Sequence, residues 1–258
     1  MKRAESVAAI ERNVATLERI REIKAEHPFW GYRRVWACLR FADGLEVNKK
    51  RIFRLMQRHE LLVKPDARLR ALRTPNRTKP RPERPNEWWG IDMTKVRVDG
   101  FGWVYIVVIL DWFTKRVVGH YAGLQCASRH WLQALEGAVQ SQFPGGVREQ
   151  RLSLMSDNGC QPTSISFIKA CSTLGINQAF TSYNNPKGNA DTERFFRTLK
   201  EELLWLRDWA SPFELLNELD EWVTNYNASY LHSALGYRSP AQFETEYQNS
   251  QLTHILGP

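Results

Sequence analysis

Trp88-Trp89-Gly90-Ile91-Asp92-Met93-Thr94 is an apolar, aromatic run with one carboxylate in its middle. A lone Asp in so apolar a β-type stretch is costly to bury, so Asp92 demands a partner. That partner is either a bound cation or a nearby Lys or Arg in a strand-end salt bridge. Outward from this run, strand character extends from Trp88 to Val98. Asp99-Gly100 then signals a hairpin into a second strand, Trp103 to Leu110, and a third follows at Arg116 to Tyr121. Beyond it the order alternates: a helix through Trp131 to Ser141, a strand ending at Asp157, a helix Thr163 to Leu174, and a short strand Asn177 to Thr181. A strongly periodic helix carrying Glu193 comes next.

Three antiparallel strands followed by alternating helix and strand predict an α/β layer of the ribonuclease-H-like kind. Asp157 closes its own apolar run, Leu152-Ser153-Leu154-Met155-Ser156-Asp157-Asn158-Gly159, and thirty-five residues lie between it and Glu193. Each acid has a plain reading. Asp-Asn-Gly is a turn signal wherever it occurs, and Glu193 is a first-turn acid favoured by the helix dipole. Taken together, two strand-borne aspartates and a helix-borne glutamate can present three carboxylates to one point, as a two-metal nuclease or strand-transferase requires. Carboxylate oxygens are hard ligands, so the expected cofactor is Mg²⁺ or Mn²⁺, as two ions held by Asp92, Asp157 and Glu193. Glu193, Arg197 and Lys200 share one helix face, while Phe196, Leu199 and Leu203 take the inward face. The face is either a DNA contact or an ordinary charged surface. The turn-rich loop Tyr183 to Asn189 precedes that helix, and its Lys187 joins Arg197 and Lys200 as a candidate DNA contact. Asp111, a fourth acid in a strand-like setting, fits a hairpin turn and is left out of the triad.

Charge divides the chain. Residues 1–85 hold 22 Lys and Arg against 10 Asp and Glu, whereas the remainder holds 14 against 18. A basic N-terminal third attached to a mildly acidic remainder suits a polyanion-gripping module joined to a carboxylate catalytic module. Helices are predicted at Ser6 to Ala25, Tyr32 to Arg40 and Lys49 to His59, the last capped by Asn48 after the Ala42-Asp43-Gly44 turn. On the third helix Ile52, Leu55, Met56 and His59 face inward, and Arg51, Arg54 and Arg58 form a basic stripe. Two short helices about a turn, the second basic, suggest a helix-turn-helix. Residues 64–85 carry five prolines among eight Lys and Arg, an extended basic linker that either tracks a nucleic-acid backbone or is a solvated spacer. The expected domains are therefore 1–63, helical and DNA-binding; 64–85, linker; 86–206, catalytic core; and 207–258, a C-terminal helical segment opened by the capping box Ser211-Pro212-Phe213-Glu214. Four scattered cysteines, Cys38, Cys126, Cys160 and Cys171, lack zinc-ligand spacing and read as reduced, mostly structural thiols. With no membrane span or secretory signal in view, a cytoplasmic protein is expected.

With these segments in place the chain resembles the integrase-core transposases of bacterial insertion sequences, in particular the second-reading-frame product of the insertion sequence three family. The resemblance spans residues 28 to 244. It is carried by Gly31-Tyr32-Arg33-Arg34-Val35, Asn48-Lys49-Lys50-Arg51-Ile52-Phe53-Arg54-Leu55-Met56, Trp89-Gly90-Ile91-Asp92-Met93-Thr94, Val108-Ile109-Leu110-Asp111 and Arg116-Val117-Val118-Gly119. It continues through Ser156-Asp157-Asn158-Gly159, Pro186-Lys187-Gly188-Asn189-Ala190-Asp191-Thr192-Glu193, Leu199-Lys200-Glu201-Glu202, Tyr226-Asn227 and His232-Ser233-Ala234-Leu235-Gly236-Tyr237. The sequence departs from the family at Tyr230-Leu231, where Arg-Pro is usual, and at Met155, where histidine is common; neither position is a metal ligand. The resemblance implies cleavage at element ends, then 3′-hydroxyl strand transfer through a circular intermediate. It implies double-stranded DNA (terminal repeats and target) as partner, a homo-oligomer on that DNA, a first-reading-frame product joined by frameshifting, and work at the bacterial nucleoid. A ribonuclease-H-like nuclease that cuts without joining, and a non-catalytic DNA-binding regulator, are the alternatives.

Overall fold

A computed structural model describes residues 7–63, 80–181 and 188–256. Lys187, most of the basic linker and most of the loop before the Glu193 helix lie outside the described residues. The chain forms two compact units, Met1–Arg73 with Leu231–Tyr237, and Thr74–Tyr230 with Arg238–Pro258.

The first unit holds α1 (Val7–Glu26), α2 (Tyr32–Ala37) and α3 (Lys49–Arg58). Ile20, Ile23, Val35, Leu39, Ile52 and Met56 are buried, so all three helices contribute to one small core. Asn48 caps α3 as expected, its side chain accepting from the Lys50 N–H at 2.8 Å. Two expectations are corrected. The second helix stops at Ala37 and continues as a widened π-type turn, Cys38–Ala42, closed by Asp43 N–H on Cys38 O. Arg19 grips the Asp43 carboxylate from α1 at 2.8 and 3.0 Å, which pins the end of that turn. His59 is exposed rather than inward, because α3 ends at Arg58 and the chain turns away through Glu60 at a φ of +56°.

The second unit is built on a five-stranded sheet of order β3-β2-β1-β4-β5. The strands are β1 (Trp88–Val98), β2 (Gly102–Asp111), β3 (Val117–Gly123), β4 (Ser153–Ser156) and β5 (Asn177–Phe180). β1, β2 and β3 are antiparallel neighbours, and β4 and β5 add in parallel beside β1. The β1–β2 hairpin forms over Asp99-Gly100 with positive φ at Gly100, a conformation glycine adopts without steric cost. Side chains alternate across a strand, so β1 serves two cores. Trp89 and Ile91 pack with Val107, Ile109, Leu154, Trp131, Leu135 and Phe167 under α4 (Ser128–Gln142) and α5 (Ile165–Leu174). The opposite face receives α6 (Ala190–Leu199) on β1 and α7 (Pro212–Ser229) on β3; α8 (Pro240–Leu256) packs on α7. Ser211 caps α7, accepting from Glu214 N–H at 3.1 Å while the Glu214 carboxylate accepts from Ala210 N–H at 3.1 Å. The Ser211 cap expected there forms, whereas the Glu214 carboxylate reaches one residue further back, to Ala210 rather than to the Ser211 N–H. Cys171 lies in the core, Cys160 is exposed, and all four cysteines are free thiols.

Candidate active site

Parallel pairing of β1 with β4 brings the two aspartates together. Trp88 pairs with Ser153, Trp89 with Leu154 and Gly90 with Met155. The same register carried two residues further sets Asp157, the first residue past β4, level with Asp92. Both stand on the α6 face of the sheet, because Asp92 follows Gly90 by one strand period. Glu193 sits in the first turn of α6, whose Phe196 and Leu199 are buried as the helical periodicity requires, with Leu203 buried just beyond.

Gly90 decides how close α6 comes. A Cβ at that position would meet Thr192 Oγ1 at 2.2 Å, the Trp112 indole nitrogen at 2.4 Å and Asn189 Oδ1 at 2.7 Å. Without a Cβ, the first turn of α6 lies on the strand itself. The Trp112 indole N–H donates to Thr192 Oγ1 at 3.3 Å, and the Asn189 amide reaches Ile91 O at 3.5 Å, one residue before Asp92. Asn189 O in turn accepts from the Glu193 N–H at 3.0 Å. Lys115 adds a third fastening, its ammonium 3.0 Å from Asp191 in a mostly buried pair. Trp112 and Lys115 belong to the β2–β3 turn, and Asp111 organises that turn. Its carboxylate, 1% exposed, accepts from Thr114 Oγ1 (2.6 Å), Thr114 N–H (3.1 Å), Asn86 N–H (3.3 Å) and Phe113 N–H (3.4 Å). Asp111 is thus the turn residue expected, and its turn holds the helix that carries Glu193.

Electrostatics tie four residues to one place. The Asp92 carboxyl is pushed up from the ordinary 3.8 to about 6, first by burial, then by the charges of Asp157 and Glu193. The Met93 N–H, donating to Asp92 Oδ1 at 2.7 Å, and the Lys200 ammonium oppose that rise. Asp157, Glu193 and Lys200 therefore all lie close enough to act on Asp92. Among the described residues, however, no three acids, histidines or cysteines are gathered at metal-ligand distance. Asp157 is occupied in its own turn, accepting from Gly159 N–H at 3.0 Å. The donor set is nevertheless all carboxylate, the chemistry of a hard divalent ion.

The candidate cations are placed unevenly. Lys200 is half-buried at the end of α6 and acts on Asp92. Arg197 is exposed, with its Nε donating to Glu201 at 2.8 Å. Arg54 and Arg58 are exposed on α3, whereas Arg51 is half-buried and donates to Asn13 Oδ1 of α1 at 3.0 Å. Sequence reasoning missed the fastening residues Gly90, Asn189, Thr192, Trp112 and Lys115. Only Gly90 carried a signal, since a glycine inside a strand marks a close approach.

Three family models match the chain: an HTH-like domain over residues 11–68, and two integrase core domain models over residues 82–186 and 174–240. The Escherichia coli transposase InsD for insertion element IS2A/D/F/H/I/K is 26% identical over 233 residues, 88% of this chain and 77% of the relative. Transposase InsD for insertion element IS2-9 of Escherichia coli strain K12 is likewise 26% identical, over 88% and 76%. Among solved structures, a chain of the simian T-cell lymphotropic virus intasome in complex with PP2A regulatory subunit B56 gamma superposes with a TM-score of 0.52. It is 17% identical, the match covering 81% of this chain and 73% of that one. That likeness is one of fold.

Proposed function

We propose that this chain, an HTH-like domain followed by an integrase core and similar to insertion-element transposases, is a DNA transposase of the insertion sequence three family, second-reading-frame type, whose site works as follows. Asp92, Asp157 and Glu193 are the catalytic acids. The observation that carries this is the field at Asp92, a carboxyl raised jointly by burial and by the other two acids. Three carboxylates gathered about the centre of the sheet, two of them acting on Asp92, are a site prepared for divalent cations, Mg²⁺ or Mn²⁺, two in number. When bound, such ions supply Lewis-acid stabilisation to an in-line displacement at phosphorus.

The chain's own residues do the rest. Met93 N–H orients the Asp92 carboxylate, and the Asp111 turn with Gly90, Thr192 and Asn189 holds Glu193 against β1. Lys200 lies where it pairs with a phosphate beside the acids, and Arg197 and Lys187 extend that contact along the DNA. In the N-terminal domain, 1–63, Arg54 and Arg58 face phosphates, and residues 64–85 continue the grip. Arg51 braces α3 against α1 and contributes less than its place in the stripe suggests. Residues 86–206 form the catalytic domain and 207–258 support it. Its substrates are double-stranded element ends and target DNA, on which copies of the chain assemble, together with a first-reading-frame product, at the bacterial nucleoid of the cytoplasm. Among the described residues no helix is long and apolar enough to cross a membrane.

A duplex element end with a free 3′-hydroxyl, compared with the same end lacking that hydroxyl, tests the reading. Joined product in Mg²⁺ from the first alone is expected. Cutting without joining would make the protein a nuclease, and DNA binding without either would make it a regulator.

A further inference from the structure

Trp205 is 63% exposed, whereas Trp209, four residues on, is 1% exposed with its indole N–H donating to Leu204 O at 3.2 Å. A widened helical turn, Lys200–Leu204, sets the difference. Leu203 and Leu204 go inward, and Trp205 N–H closes the turn on Lys200 O at 2.9 Å, which leaves the indole outside. The Lys200 ammonium lies 6.0 Å from the Trp205 ring centroid, and Lys200 follows Glu193 by about two helical turns on the same helix face. The neighbouring acids are engaged elsewhere: Glu201 accepts from Arg197 at 2.8 Å and Glu202 from the Tyr230 hydroxyl at 3.0 Å. Asp99 N–H of the β1–β2 hairpin donates to Trp209 O at 3.3 Å, so the hairpin tip adjoins this segment. That hairpin exposes Phe101 and Trp103, with the Lys95 ammonium 4.5 Å from the Trp103 ring. Exposed rings with ammonium groups beside them suit unpaired nucleotides, the ring stacking on a base and the cation meeting its phosphate.

We propose that Trp205 is a stacking platform for an unpaired base at the end of the DNA strand held in the active site, with Lys200 on the adjoining phosphate. This rests on the reading of Asp92, Asp157 and Glu193 as a DNA-processing centre. A surface for protein contact would draw instead on exposed Leu206 and Phe213 and has no use for an ammonium at the ring.

The test uses the full chain and element-end duplexes that carry either the normal base or an abasic site beside the cleaved phosphate. Trp205→Ala is expected to slow cleavage of the normal duplex by about 5- to 150-fold, the ratio that about 1–3 kcal/mol of base–aromatic stacking represents. On the abasic duplex the same variant should cost little further, and Trp205→Phe should recover most of the rate. Equal losses on both duplexes, or none, would overturn the proposal. So would a fall in oligomeric mass on Trp205→Ala with no dependence on the base. Fluorescence of 2-aminopurine in a short unpaired 3′ end, read in Ca²⁺, separates this inference from its premise. Quenching by the wild type and not by Trp205→Ala would uphold stacking even if cleavage failed, and absence of quenching would refute it even if cleavage succeeded.

Discussion

Removing the charge at Asp92 should make the metal-free protein more stable while abolishing its chemistry. Asp92→Asn keeps the oxygen that accepts from Met93 N–H and deletes only the ionisable group. In the folded chain that group titrates near 6 rather than the ordinary 3.8. The folded state therefore binds the proton more tightly than the unfolded state, and ionised Asp92 opposes folding. The gap is about two pH units at about 1.4 kcal/mol each, so the ionised carboxylate costs about 3 kcal/mol at pH 7. The sign follows from linkage. The cost is full above about pH 6, shrinks as pH falls through that value, and is gone below 3.8. Urea unfolding of wild type and Asp92→Asn in EDTA, from pH 4 to pH 8, measures it. The variant should exceed wild type by up to about 3 kcal/mol at pH 7 and match it near pH 4. Added Mg²⁺ should then stabilise wild type and not the variant, since a ligand stabilises only the state that binds it. A variant no more stable than wild type at pH 7, or a difference independent of pH, would refute the picture of a buried carboxylate in a field of like charges.

Asp111→Ala should act in the opposite direction, destabilising by about 1–3 kcal/mol because the buried donors of Asn86, Thr114 and Phe113 lose their acceptor; thermal unfolding reads this. Gly90→Ala should cost about 1–3 kcal/mol through overpacking and should impair strand joining beyond that loss. Gly119→Ala, which meets Ala134 O and Ala138 Cβ at 2.7 Å under α4, should cost similar stability and spare joining measured below the unfolding transition. In DNA binding followed by anisotropy across a salt series, Arg54→Ala should reduce the slope of log affinity against log salt by about 0.9. Arg51→Ala should leave that slope unchanged, since Asn13 already holds the guanidinium.

Local rules made much of this legible in the sequence. Strand β1 runs from Trp88 to Val98 as its composition predicts, the Asp99-Gly100 hairpin forms, and the Asn48 and Ser211 side chains cap their helices as expected. Phe196, Leu199 and Leu203 are inward, which fixes the face that Glu193 and Lys200 present. What stayed hidden depends on neighbours distant in the chain. The register of β1 against β4, the fastening of α6 by Trp112 and Lys115, and the engagement of Arg51 by Asn13 have no signature within a window of a few residues. His59 shows the limit of periodicity at a helix end: its position in the repeat points inward, but the helix closes one residue earlier and the ring is released to solvent.

The most direct measurement is joining of a labelled element end to target DNA in Mg²⁺ by wild type, Asp92→Asn, Asp157→Asn and Glu193→Gln, with folding of each verified beforehand. Asp92, Asp157 and Glu193 acting as one metal-dependent centre predict joined product from wild type and none above background from any of the three variants, with DNA binding retained in all. Joining near the wild-type rate by any one variant would contradict that centre and remove its residue from the chemistry.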